Sequence, residues 1–190
     1  MMKDLVISTK TTIHPTEECL PTSPSLLGSP PDLTKRPQLS LIRGHQIGMP
    51  ILMADDDADD CLLAQEAWEE IKSGHELRFV HDGQEVLDYV LHRGLYTTQQ
   101  SAPRPGIILL DLNMPKKNGH EVLRAVKTNP EVQTIPIIVF TTTRHDDEII
   151  RAYKEGANAF MTKPSTFEGY RDTLRAVNHF WLHLAQLPHL

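Results

Sequence analysis

Five polar residues, each closing an apolar run, carry the chemistry this chain can do. Asp55 and Asp56 follow Ile51-Leu52-Met53-Ala54, Asp111 follows Ile107-Ile108-Leu109-Leu110, Thr141 follows Ile137-Ile138-Val139-Phe140, and Lys163 follows Ala159-Phe160-Met161-Thr162. Short apolar runs without alternation read as strands covered on both faces, and the C-terminal ends of parallel strands share the edge where α/β sheets keep their sites. Taken alone, Asp111 reads equally as a turn cap and as a site residue. Three converging carboxylates are harder to assign to packing. They raise one another's pKa unless a divalent cation and a fixed ammonium offset them. Magnesium suits such hard oxygen ligands. A phosphoryl group is the natural guest: the metal and Lys163 hold its oxygens, Thr141 donates a hydrogen bond and one carboxylate attacks phosphorus.

Amphipathic stretches alternate with the strands that must position these residues. A first helix, Ala58 to Lys72, places Leu63, Ala67 and Ile71 at one-turn spacing and stops with Gly74 as its C-terminal cap. A second strand, Leu77 to Val80, leads through the Asp82-Gly83 turn into a helix with Val86, Leu87, Val90 and Leu91 on one face. Gly119 to Lys127 forms a third helix, with Val122, Leu123 and Val126 inward. His145 to Glu155 forms a fourth, bearing Ile149, Ile150 and Tyr153. Ser165 and Glu168 are spaced as a capping box for the last helix. Five strand-then-helix units imply an α/β fold, doubly wound, with a five-stranded parallel sheet.

Composition narrows the partners. The chain has 190 residues, 19 Lys and Arg against 25 Asp and Glu, net charge -6 and pI about 5.9, so it lacks a basic footprint for nucleic acid. Cys19 and Cys61 form neither a disulfide framework nor a zinc spacing, which points to a reducing, cytoplasmic setting. No apolar run approaches a membrane span. Residues 1–48, with Pro15, Pro21, Pro24, Pro30, Pro31 and Pro37 among Ser and Thr, read as a disordered extension. Residues 49–190 form the domain, which needs nothing before Met49-Pro50.

With the acidic pair, the Asp, the Thr and the Lys-Pro in this order at strand ends, the chain resembles the receiver domain of two-component response regulators over about residues 50–187. Asp55-Asp56-Asp57-Ala58-Asp59-Asp60, the run 107–119, Gly156-Ala157-Asn158 and Phe180-Trp181-Leu182 look like stand-alone receivers of the cyanobacterial phytochrome type. The resemblance implies a flavodoxin-like sheet in the order 2-1-3-4-5, with Asp111 as phosphoacceptor. The donor would be a sensor histidine kinase, phytochrome-like, or a phosphotransfer protein. It implies Mg2+ bound by Asp56, Asp111 and the backbone carbonyl of Asn113, with Asp55 acting through a water. Lys163 would pair with the acyl phosphate, helped by a cis bond to Pro164, while Thr141 and Phe160 would act as switch residues. The protein would be a phosphoacceptor rather than an enzyme. Haloacid-dehalogenase-type phosphatases use similar residues, but they need a second Asp two residues after the nucleophile, where Asn113 stands, and an acidic pair that follows it.

Other features carry plainer readings. Asp57 is an N-cap. His75, His81, His92, His120 and His145 lack ligand spacing and are expected to be solvated, like Lys116 and Lys117. The Asp55 to Asp60 run lacks the Gly and closing Glu of a calcium loop. Phe167, Tyr170, Leu174, Val177, Trp181 and Leu184 form a three-four stripe on the last helix, and Phe180, Leu182 and Leu187 fall beyond it, as extra core contact or as a homodimer surface. No residues after Leu190 supply an output domain, so the expected output is a protein contact.

Overall fold

Ile51-Leu52-Met53-Ala54 and the four comparable runs form strands in the computed structural model, which describes residues 48–188. They are β1 (Ile51–Ala54), β2 (Leu77–Val80), β3 (Ile107–Leu110), β4 (Ile137–Thr141) and β5 (Ala159–Thr162), all parallel in the order β2-β1-β3-β4-β5. Between them run α1 (Ala58–Ile71), α2 (Gly83–Val90), α3 (Gly119–Thr128) and α4 (Asp146–Lys154), and α5 (Phe167–Val177) follows β5. A parallel neighbour can be reached only by a crossover, and the doubly wound sheet results. Gly48 apart, the extension expected over residues 1–48, with Cys19, lies outside the described residues.

Alternate residues of each strand serve opposite faces. Ile51, Met53, Ile107, Leu109, Ile138 and Phe140 pack with Ala64, Ala67 and Trp68 of α1 and Tyr170, Leu174 and Val177 of α5. Leu52, Ala54, Ile108, Leu110, Ile137 and Val139 pack against α2 and α3, through Val86, Leu87, Val90, Val122, Leu123 and Val126. Each fully buried Ile or Leu contributes roughly 2 kcal/mol. β1, β3 and β4 are buried throughout, while the edge strands β2 and β5 are mostly half-buried. α4 is held more lightly, with Ala152 buried and Ile150 and Tyr153 facing out.

Several local details depart from the sequence expectations. Lys72, not Gly74, takes the left-handed cap of α1 (φ 53°, ψ 46°), and Gly74 turns the chain two residues later at φ 79°. The helix ends where its apolar face ends, at Ile71, and the cap falls on whatever residue follows. Thr166, not Ser165, caps α5, its hydroxyl accepting from the Gly169 N–H at 3.2 Å, so the box with Glu168 is absent. Two adjacent hydroxyls offer the same chemistry, and the path of the chain off the sheet selects one. No peptide is cis among the described residues, so the Lys163–Pro164 bond is trans, contrary to what the resemblance implied. The isomers of such a bond differ by only ~0.5–1 kcal/mol, so surroundings decide.

The apolar stripe of the last helix is also interrupted. After Val177 the backbone widens into a π turn, Asn178–Leu184, closed by the Ala185 N–H on the Phe180 carbonyl at 2.8 Å. The wider turn shifts the helical register. Leu184 therefore faces solvent at 49% exposure, and Leu182 and Leu187 turn into the core at 7% each.

Two histidines expected in solvent are buried, because protein acceptors replace water around their rings. His75 Nδ1 lies 3.1 Å from the Met49 carbonyl. His120, on α3, lies between Glu148 (2.7 Å from Nε2) and Glu155 (2.6 Å from Nδ1) and thereby ties α3 to α4. His81, His92 and His145 are exposed, as expected.

Candidate functional site

Strand register gathers the five polar residues. Ala54 pairs with Leu110, so Asp55 and Asp111 leave the sheet side by side, and the Asp111 N–H donates to the Ala54 carbonyl at 3.0 Å. Thr141 pairs with Thr162, which brings Lys163 to the same edge, its N–H on the Thr141 carbonyl at 2.8 Å.

Lys163 is the hub. Its Nζ lies 2.7 Å from Asp55 Oδ2, 2.7 Å from Asp60 Oδ2 and 2.8 Å from Asp111 Oδ2, with its side chain only 2% exposed. Aligned hydrogen bonds run to Asp60 and Asp111, whereas Asp55 Oδ2 stands at ion-pair distance and is left without an aligned donor. Burial pushes the Asp55 carboxyl up to about 6; Lys163 pulls the other way, and the Asp111 charge adds a smaller push upward. Burial opposes the charge on Lys163, but the three carboxylates Asp111, Asp55 and Asp60 around it outweigh burial and hold the ammonium above its ordinary range.

The remaining residues stand around this pair. Asp56 is exposed beside Asp55, and Asp55, Asp56 and Asp111 each offer an oxygen within 4.8 Å of the others. Carboxylates outnumber the one ammonium, and Asp55 Oδ2, though ion-paired with Lys163, has no aligned hydrogen bond, a donor set that fits a divalent cation. Asn113 is exposed, and its N–H donates to Asp111 Oδ1 at 3.2 Å. The Thr141 hydroxyl is fully buried and has no hydrogen-bond partner. Phe160 is half-buried, opposite Val139, and packs on the core face that α2 and α3 cover.

The loop after Asp111 is held in place. A Cβ on Gly119 would run into the Asp111 carbonyl oxygen, and the Gly119 N–H closes the loop on Leu112 O at 2.9 Å. Lys116, in the left-handed region at φ 62°, reaches Asp82, the N-cap of α2, at 2.6 Å. It is exposed but not merely solvated. An open depression of about 460 Å³, lined by Leu112, Asn113, Thr142, Thr143, His145 and Glu148, opens between this loop and the start of α4.

Asp57 caps α1 as expected, accepting from the Asp59 and Asp60 N–H groups. Nothing in the sequence singles out Asp60, because acids in a helix's first turn are common for dipole reasons alone. Cys61 also borders the site, its Sγ approaching the Asp55 carbonyl at 3.5 Å; burial first, then Asp55, push the thiol to about 12, so it stays protonated.

No helix among the described residues is long and apolar enough to cross a membrane. The phosphatase alternative gains no support, since Asn113 stands where a general-acid Asp is required. Response regulator Rcp1 of Synechocystis sp. is 36% identical over 138 residues, covering 73% of this chain and 92% of its own. The crystal structure of the phosphorylated cyanobacterial phytochrome response regulator RcpA matches with TM-score 0.70 and 35% identity, over 75% of this chain and 99% of that one. The Mn2+-bound form of Rcp1 matches with TM-score 0.67 and 35% identity, over 74% and 99%. The family model described as response regulator receiver domain spans residues 51–175. By sequence and by fold, this chain belongs to the response regulator receiver domain family.

Proposed function

We propose that the protein is a phosphoryl switch of a two-component relay, in which Asp111 accepts a phosphoryl group from the phosphohistidine of a sensor histidine kinase or a phosphotransfer protein with Mg2+ present. The observation that carries this is the Asp111–Lys163 hydrogen bond of 2.8 Å beside a buried Thr141 hydroxyl that has no partner. Such an unmade hydrogen bond costs ~1–3 kcal/mol. A phosphoryl oxygen removes that cost.

In the transfer, an Asp111 carboxylate oxygen attacks phosphorus; the P–O bond forms as the P–N bond breaks, and the imidazole leaves with the electron pair. Lys163 keeps an N–H on one phosphoryl oxygen and Thr141 donates to another. Asp56, Asp111 and the Asn113 carbonyl would hold Mg2+ directly and Asp55 would hold it through water, and the cation supplies positive charge against the phosphoryl oxygens. The depression beside Asn113 and Thr142 gives the donor imidazole room to approach.

Thr141 and Phe160 then bias α4, β5 and α5. The likeness to phytochrome response regulators favours a phytochrome-like kinase, acting in the cytoplasm. The exposed Phe180, with Trp181 beside it, favours a second copy as a further partner, and the net charge of -6 disfavours nucleic acid. The test is incubation with acetyl phosphate and Mg2+ followed by intact mass. Wild type should gain one phosphoryl group and Asp111→Asn none. An unmodified wild type, or a modified Asp111→Asn, refutes the reading.

A further inference from the structure

An acid at the third position of a helix commonly reaches back to its own N-cap or simply faces the positive end of the dipole. Asp60 does neither with its carboxylate. It crosses to another element and meets Lys163, 103 residues away in sequence, at 2.7 Å. An ammonium has three N–H groups, and on Lys163 the two aligned hydrogen bonds go to Asp111 and Asp60. Asp111 is the group whose charge changes when it reacts, and Asp55 is a candidate metal ligand. Asp60 is the one carboxylate on Lys163 with neither task. The hydroxyl of Tyr170 on α5 is also fully buried, and burial first, then the Asp60 carboxylate as hydrogen-bond acceptor and as a charge, raises its pKa.

We propose that Asp60 is a positioning residue for phosphoryl transfer: it anchors the Lys163 ammonium toward the reacting oxygen of Asp111 and keeps it there while Asp55 and Asp111 exchange their interactions with lysine for those with metal and phosphoryl group. The proposal rests on the function given above. A lysine has four rotatable side-chain bonds, so an ammonium released by Asp111 and Asp55 together has no reason to stay in line unless something else holds it. Asp60 does this from a rigid place, because its backbone N–H is fixed by the Asp57 cap at 3.3 Å.

The test compares wild type, Asp60→Ala, Asp60→Asn and Asp59→Asn for acyl-phosphate formation from acetyl phosphate at saturating Mg2+, by intact mass against time. Asp60→Ala should lower the maximal rate about tenfold, the effect of one lost hydrogen bond to a charge, with little change in the donor concentration for half-maximal rate. Asp60→Asn keeps the shape and an accepting oxygen, and should recover part of the rate. Asp59→Asn removes a nearby exposed charge and should behave as wild type. In a Lys163→Ala background, adding Asp60→Ala should change nothing, since its route of action is gone. A wild-type rate in Asp60→Ala, an equal loss in Asp59→Asn, or a further loss on the Lys163→Ala background overturns the proposal. If wild type takes up no phosphoryl group, the functional reading fails first and this one with it.

Discussion

Replacing Asp55 with Asn isolates a charge that burial makes costly. The Asp55 carboxyl is raised from 3.8 to about 6 in the folded protein. Two pKa units at ~1.4 kcal/mol each mean that holding Asp55 ionised at neutral pH, without metal, costs the fold ~3 kcal/mol. Asparagine keeps the shape and removes the charge. It also takes one carboxylate from Lys163, whose pull is already contained in the net shift, and the aligned hydrogen bonds to Asp60 and Asp111 remain. Asp55→Asn should therefore be more stable than wild type by ~3 kcal/mol at pH 7. Between the unfolded and folded values the native state binds more protons than the unfolded chain, so this contribution makes wild-type stability fall as pH rises through the window from 3.8 to about 6. The gap between the two proteins should accordingly narrow by ~1 kcal/mol on going from pH 7 to pH 5. Urea unfolding of both proteins in a chelator, across this range, gives the difference directly, and groups that titrate in both cancel. A variant less stable than wild type at pH 7, or a gap that does not change with pH, refutes the assignment of the cost to Asp55. Added Mg2+ should restore wild type more than the variant.

Three further outcomes follow from described contacts. His120→Ala leaves Glu148 without its bridge to α3, and should cost ~1–3 kcal/mol while amide exchange quickens in α4; unchanged exchange there would remove the restraint assigned to this histidine. Leu182→Ala should destabilise by ~2 kcal/mol or more and Leu184→Ala by less than ~0.5 kcal/mol in chemical denaturation, and the opposite order would refute the π turn. In analytical ultracentrifugation, Phe180→Ala combined with Trp181→Ala should shift the protein toward monomer, and an unchanged distribution eliminates that surface as the contact between copies.

The sheet and the placement of its polar ends were legible because burial on both faces leaves unbroken apolar runs, and each run that matters stops at a charge or hydroxyl. Parallel pairing then fixes that Asp55, Asp111, Thr141 and Lys163 meet. What was not legible depends on distant contacts. His120 on its helix gives no sign of Glu148 and Glu155, 28 and 35 residues further on. Asp60 looks like any first-turn acid until Lys163 is brought over it. The π turn lacks a local signature, and only the burial of Leu182 and Leu187 shows that the register has shifted. Lys72 at a left-handed cap defies the residue preference because the core, not the glycine, decides where α1 stops.

Both tryptophans of the chain stand far from the chemistry. Trp68 is in the last turn of α1, its Nε1 donating to the His75 carbonyl at 2.8 Å, ten residues and thus ~15 Å along the helix from the end that meets Asp55. Trp181 lies in the π turn beyond α5, the helix that leads away from Lys163. Neither indole can be quenched by direct contact with a metal or phosphoryl group at Asp111. A change in intrinsic fluorescence on loading the site is therefore an indirect report, of motion carried down α1 or α5 or of two copies pairing at Trp181, separable in time from the mass change that reports occupancy.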